Sequence, residues 1–101
     1  MQSYIQIVGA TGFDWDDGNR FKCQKHGMGL TDIEEVFADV IQVAVDEGHS
    51  TTEARQLAIG RTRAGRPAFV VFTLRLIEGR TLIRPVSARY MHAKEVKRYG
   101  P

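Results

Sequence analysis

The sequence predicts an α+β protein: an antiparallel sheet of about four to five strands, packed by two N-terminal helices and one C-terminal helix. Three observations lead there. Helix-type patterns fill two consecutive segments in the first part of the chain. Period-2 apolar segments follow, separated by short turns, which favours consecutive antiparallel pairing. Two helices in succession cannot supply a crossover for each strand, which argues against a wound parallel sheet. The 101 residues suffice for one domain with a single modest core, and no repeat or linker divides them.

Tyr4 to Val8 (YIQIV) is β-prone and reads as a short strand, broken by the glycines of GATG. FDWDDGNRFKCQKHG reads as a strand end and then a helix, with Asp16 or Asp17 capping its start and Gly27 just past its end. Lys22, Lys25 and His26 stand at i, i+3 and i+4 and would share one helical face. Basic groups in a last turn also suit the negative end of the helix dipole, which gives Lys25 and His26 a purely structural explanation. In TDIEEVFADV, Thr31 and Glu34 have capping-box spacing, and Ile33, Val36, Phe37 and Val40 form a buried helical stripe.

The period then drops to 2. In IQVAV, Ile41, Val43 and Val45 alternate with Gln42 and Ala44, and DEGHSTTE makes a polar turn. ARQLAIGRT reads as a strand with Arg55, Leu57 and Ile59 on one face. RAGR turns, and PAFVVFTLRL is apolar enough for a central strand covered on both sides. IEGR turns again into TLIRPVSARY. Pro85 cannot donate to a ladder, so this last strand lies at an edge or carries a bulge. MHAKEVKRYG fits a short terminal helix with Ala93, Val96 and Tyr99 inward.

An apolar fraction of 43% and a charged fraction of 26% are ordinary for a soluble globular protein. No apolar run approaches the roughly 18 residues of a membrane span, and the N-terminus lacks a signal-peptide layout. The single cysteine, Cys23, excludes an internal disulfide; a cytoplasmic location is expected. Residues 1–53 carry three Lys/Arg against ten Asp/Glu, a formal charge of −7, while residues 54–101 carry eleven against two, giving +9. Such asymmetry suggests a polyanion-binding surface or an acidic partner, unless the charges are simply solvated. His26, His49 and His92 are far apart and Cys23 has no ligand-spaced partner, so no metal site is expected. GRTRAG lacks the context of a phosphate-cradling loop, no G-x-S-x-G elbow is present, and no cofactor is implied.

What remains is a set of cations on the strands: Arg55, Arg75, Arg84 and Arg89, joined by Lys22, Lys25 and His26. Along FVVFTLR, Phe69, Val71, Thr73 and Arg75 share a face, so Arg75 needs a partner anion or the wet end of the sheet. Guanidinium matches phosphate geometry and stays charged at any relevant pH. The alternative is that each arginine pairs with a carboxylate of the acidic half. Metal-free RNA cleavage needs proton carriers, for which His26 and Glu53 are the best candidates, and cations around the phosphorus.

The ordered segments FDWDDGNRFKCQKHG, EEVFAD, EARQLAIG, FVVFTLR and IRPVSARYMHAKEVKRY, over about residues 13–99, resemble the BrnT family of ribonuclease toxins from type II toxin–antitoxin systems. The resemblance implies a RelE-like fold and a metal-independent endoribonuclease that blocks translation. It also implies a BrnA-type antitoxin, through which the complex would bind and repress its own promoter DNA. The family's elements fall on Trp15 and Asp16, on Lys25 to Gly27, on Glu53 and Arg55, on Thr73 and Arg75, and on Arg84, Ser87 and Arg89. With Lys22, these are the expected site residues; Trp15 would stack on a base or belong to the core, and Ser87 would bind RNA or satisfy backbone near Pro85. Residues 1–12 precede the usual start of the family, and Pro85 replaces an aliphatic residue. Strict alternation puts Arg84 and Arg89 on opposite faces, and only a bulge reunites them. Two other functions fit the sequence: a non-catalytic partner that only holds the antitoxin, and a general RNA-binding module, the latter disfavoured by scarce aromatic platforms.

Overall fold

The computed structural model describes residues 3–39, 42–45 and 54–100. The elements run α1 (Tyr4–Val8), β1 (Ala10–Phe13), α2 (Asp17–Cys23), α3 (Leu30–Ala38), β2 (Gln42–Val45), β3 (Gln56–Arg61), β4 (Pro67–Ile77), β5 (Arg80–Tyr90) and α4 (Ala93–Tyr99). The strands form one sheet in the order β1-β5-β4-β3-β2. The α+β class holds, with two corrections. The sheet is mixed, because β1 pairs in parallel with β5 while the other neighbours are antiparallel. The described residues also carry four helices, not three.

Both corrections arise in the first thirteen residues. YIQIV is a helix, against its β-prone composition. Ser3 Oγ accepts from the Gln6 N–H at 3.2 Å, Gln6 Oε1 accepts from the Ser3 N–H at 2.9 Å, and Gly9 ends the turn at φ 69°. This reciprocal cap offsets the weak propensity of a five-residue segment. GATG reads as a break and Phe13 as a strand end, but Ala10–Phe13 is one strand held along Thr81–Ile83 of β5. Two caps also shift. α3 starts at Leu30 with Asp32 accepting from the Gly29 N–H at 3.3 Å, so Thr31 lies inside the helix. α2 ends at Cys23, and Gly27 turns the chain at φ 91° three residues beyond the Gln24 cap.

The core lies between the sheet and the helices α1 and α3. Ile33, Val36 and Phe37 of α3 are buried against Ala58, Ala68, Val70, Phe72, Ile83 and Ala88. Phe37 meets Phe72 edge-on at 5.0 Å, and Tyr4 of α1 meets Phe72 at 5.4 Å. Cys23 and Met28 close the same cluster. β4, the apolar run, is the middle strand as expected. β2 is an edge strand with all four residues exposed; Val40 and Ile41 lie outside the described residues. β3 begins at Gln56, so Arg55 stands just before it. The β4–β5 hairpin closes through Glu78 and Gly79, both at positive φ, as a tight two-residue turn demands. α4 buries no residue fully, against the inward reading of Ala93, Val96 and Tyr99. It lies on the face opposite the core, where Tyr99 meets Phe69 at 6.0 Å.

Candidate active site

The face opposite the core is organised by one irregularity in β5. Val71 pairs with Ser87, but the next residue, Phe72, pairs with Pro85, leaving Val86 as an extra residue. This bulge resets the alternation. Ser87 and Arg89 stand opposite Val71 and Phe69, while Arg84 stands opposite Thr73. All of them therefore share a face with Arg75. Pro85 makes the irregularity tolerable. Its carbonyl accepts from Asn19 Nδ2 at 2.9 Å, on the α2 side. In an extended strand a residue's N–H and C=O point the same way, so the missing donor also faces α2 and not the β4 ladder.

Arg84 and Arg89 share a face but not a point; with about 3.3 Å per strand residue they lie roughly 13 Å apart along β5. Each holds a carboxylate. Arg84 reaches Asp14 Oδ2 with Nη1 at 3.3 Å and Asp16 Oδ2 with Nη2 at 2.8 Å. Asp16 is at once the cap of α2, its other oxygen accepting from the Asn19 N–H at 3.0 Å. That backbone donor first, and Arg84 second, lower the Asp16 pKa. Arg75 Nε lies 3.9 Å from the same Asp14 oxygen. Thr73, 5% exposed, places a buried Oγ1 here without a hydrogen-bond partner among the described residues.

Arg89 makes a two-pronged pair with Glu95 of α4, both bonds 2.7 Å, and its guanidinium lies 4.9 Å from the Phe69 ring centre. Glu95 also accepts from the His92 N–H at 2.9 Å. The Arg89 bonds first, then this backbone donor, hold its carboxyl down at about 2. Beside the pair runs a groove of about 550 Å³ whose floor includes Leu57, Ile59, Phe69 and Val71, with Ser87, Arg89, Glu95, Tyr99 and His26 at its walls.

The expected site residues thus divide. Arg75, Arg84, Thr73, Ser87 and Arg89 share a face, and His26 joins Ser87 and Arg89 at the groove. Lys22 and Lys25 are exposed, and because the helix stops at Cys23 they do not share a regular helical face with His26. Arg55 is half-buried ahead of β3, and Glu53 lies outside the described residues. Trp15 packs against the core, its indole N–H donating to Glu34 Oε2 at 2.9 Å. Sequence reasoning missed Asp14 and Glu95 as partners of the arginines. Glu95 carries a signal in hindsight, standing three residues after His92 at a helix start; Asp14 carries none.

Fold and site together define an α+β protein with a mixed sheet, a helical layer over its core face and arginines in a row on the other. Residues 15–95 match the family model described as the ribonuclease toxin, BrnT, of type II toxin–antitoxin systems, and the chain belongs to that family. No individual curated protein matches the chain. Among the described residues no helix is long and apolar enough to cross a membrane.

Proposed function

We propose that this chain is a cytoplasmic endoribonuclease that cuts RNA by attack of a 2′-hydroxyl on the adjacent phosphorus, without a metal ion, and so stops translation. A BrnA-type antitoxin neutralises it, and the chain reaches promoter DNA only through that complex. The observation that carries the reading is the Val86 bulge, which sets Arg84, Ser87 and Arg89 on the face of Thr73 and Arg75. Arg84 with Arg75, and Arg89 further along β5, hold separate phosphates of the strand, and the guanidinium at the attacked phosphorus stabilises the charge gathering there; a single well-placed donor of that kind is commonly worth about 3–4 kcal/mol. His26 and Glu53 carry the two protons, one from the 2′-hydroxyl and one to the departing 5′-oxygen. Lys22, Lys25, Arg55 and Ser87 hold the flanking backbone. Arg84 and Arg89 must exchange carboxylate for phosphate, which a guanidinium binds with the same two-pronged geometry.

The test is incubation of the purified protein with single-stranded RNA in excess chelator. Cleavage that disappears in His26→Ala and Arg75→Ala supports the proposal; RNA left intact by the wild type refutes it. One observation favours a second reading: Arg84 and Arg89 already hold carboxylates of their own chain. In that reading the arginines are struts and the chain only holds an antitoxin. Expression without the antitoxin separates the two, since a strut protein leaves growth unchanged.

A further inference from the structure

Phe21 is the most exposed of the large apolar side chains described, at 79%. Its position follows from the phase of α2. Asn19 and Cys23 are buried against β5, and Phe21 stands two residues from each, about 200° round the helix from Asn19. Every other phenylalanine has a ring or a guanidinium against it; Phe21 has neither among the described residues. Exposed charges stand near it along the chain: Arg20 and Lys22 on either side, Lys25 one turn on, and a single carboxylate, Asp17, one turn back. The next residue, His26, lines the groove with Ser87 and Arg89.

We infer that Phe21 is a stacking platform for a base of single-stranded RNA, held by the flanking cations as the strand leaves the groove. The inference rests on the ribonuclease reading and adds to it a substrate-binding residue outside the motif positions that carry the family resemblance. An aromatic ring with bare faces accepts any base, and neighbouring cations hold the backbone that carries it. The core of a protein–protein contact is depleted of charge, so a lone ring with three cations and one carboxylate near it fits a polyanion better than a protein partner.

The experiment uses a short fluorescein-labelled single strand whose 2′-O-methyl riboses cannot attack phosphorus. Its binding by full-length wild type, Phe21→Ala, Phe21→Leu and Phe21→Trp is followed by anisotropy, beside cleavage of the unmodified RNA. Loss of one stacked base is expected to weaken binding about 5- to 100-fold in Phe21→Ala and Phe21→Leu, with Phe21→Trp restoring it. KM should rise while kcat holds, and the melting temperature should barely move, because Phe21 is 79% exposed. Replacing the stacked nucleotide with an abasic one should erase the difference between Phe21→Ala and wild type. The inference is overturned by a wild type that cuts RNA alongside a Phe21→Ala that binds equally well. Equal binding by Phe21→Leu overturns it too, as simple apolar contact. So does a Phe21→Ala that loses only antitoxin affinity, which gives the surface to a protein. A wild type that neither binds nor cuts RNA removes the underlying reading and this one with it.

Discussion

Two buried or paired groups turn the geometry into measurable behaviour. Glu95 is held at about 2, chiefly by Arg89. An unfolded glutamate titrates near ~4.3, so the pair contributes in full above that pH and is lost as pH falls toward about 2. The Arg89 side-chain N–H signals in NMR should therefore stay in their bound position through neutral and mildly acid buffer and shift only in that low window. Glu95→Gln should abolish the transition and loosen α4 already at neutral pH. Cys23 is the second case. It has no exposed surface, and burial pushes its thiol up to about 11. Native protein in mildly alkaline buffer should resist iodoacetamide, and mass spectrometry should find the adduct only after denaturation. At this scale the sequence was partly legible. It named Arg84, Arg89 and His26, and even the bulge needed to reunite the arginines. It was silent on Asp14 because a carboxylate ahead of the first apolar stripe, which begins at Ile33, has nothing to mark its partner, which is set by β1 lying beside β5.

Long elements declared themselves and short ones did not. The stripe of α3 and the runs of β3, β4 and β5 were legible because their side chains repeat against one core face, and burial enforces the repeat. α1 and β1 were misread because five and four residues are too few for periodicity. Their conformations come from a side-chain cap and from pairing with a strand some seventy residues away. α2 depends on the same kind of contact. Buried Asn19 donates to the Asp14 and Pro85 carbonyls, both at 2.9 Å, and accepts from the Asp16 N–H at 2.7 Å. One side chain thus ties β1, α2 and the start of the bulge together. Asn19→Ala strands those backbone groups, and at about 1 kcal/mol per bond the expected loss is about 2–4 kcal/mol. Urea denaturation should resolve it. Gln24→Ala, which removes one exposed bond to the Arg20 carbonyl, should be near neutral. The Asp16 carboxylate keeps its bond from the backbone N–H of residue 19 in this variant, so its pair with Arg84 should persist.

The charge separation of the chain becomes spatial only in part. Acidic residues of α3 are engaged on the core side: Asp32 with the Tyr90 hydroxyl, Glu34 with Trp15 and Glu35 with the Arg63 N–H. Arg75, Arg84 and Arg89 stand on the other face. Asp14 and Asp16 of the acidic half follow them there, so the cationic surplus of that face is smaller than +9 over residues 54–101 suggests. Two roles for the carboxylates that the arginines hold, Glu95 included, give different salt dependences. As exchangeable place-holders they leave when phosphate arrives, and each arginine released adds one phosphate contact. For a single strand each contact adds about 0.7 to the slope of log affinity against log salt. Glu95→Gln should then tighten RNA binding at low salt, because Arg89 no longer has to give up an anion, while the slope stays that of the wild type. Arg75→Ala should reduce the slope by about 0.7, since one contact is lost outright. As permanent struts the carboxylates never leave: Glu95→Gln then lowers the melting temperature through α4 and leaves RNA affinity where it was. A salt titration of the two variants against wild type, on an uncleavable strand, decides whether the row of arginines on β4 and β5 is a binding surface or a framework.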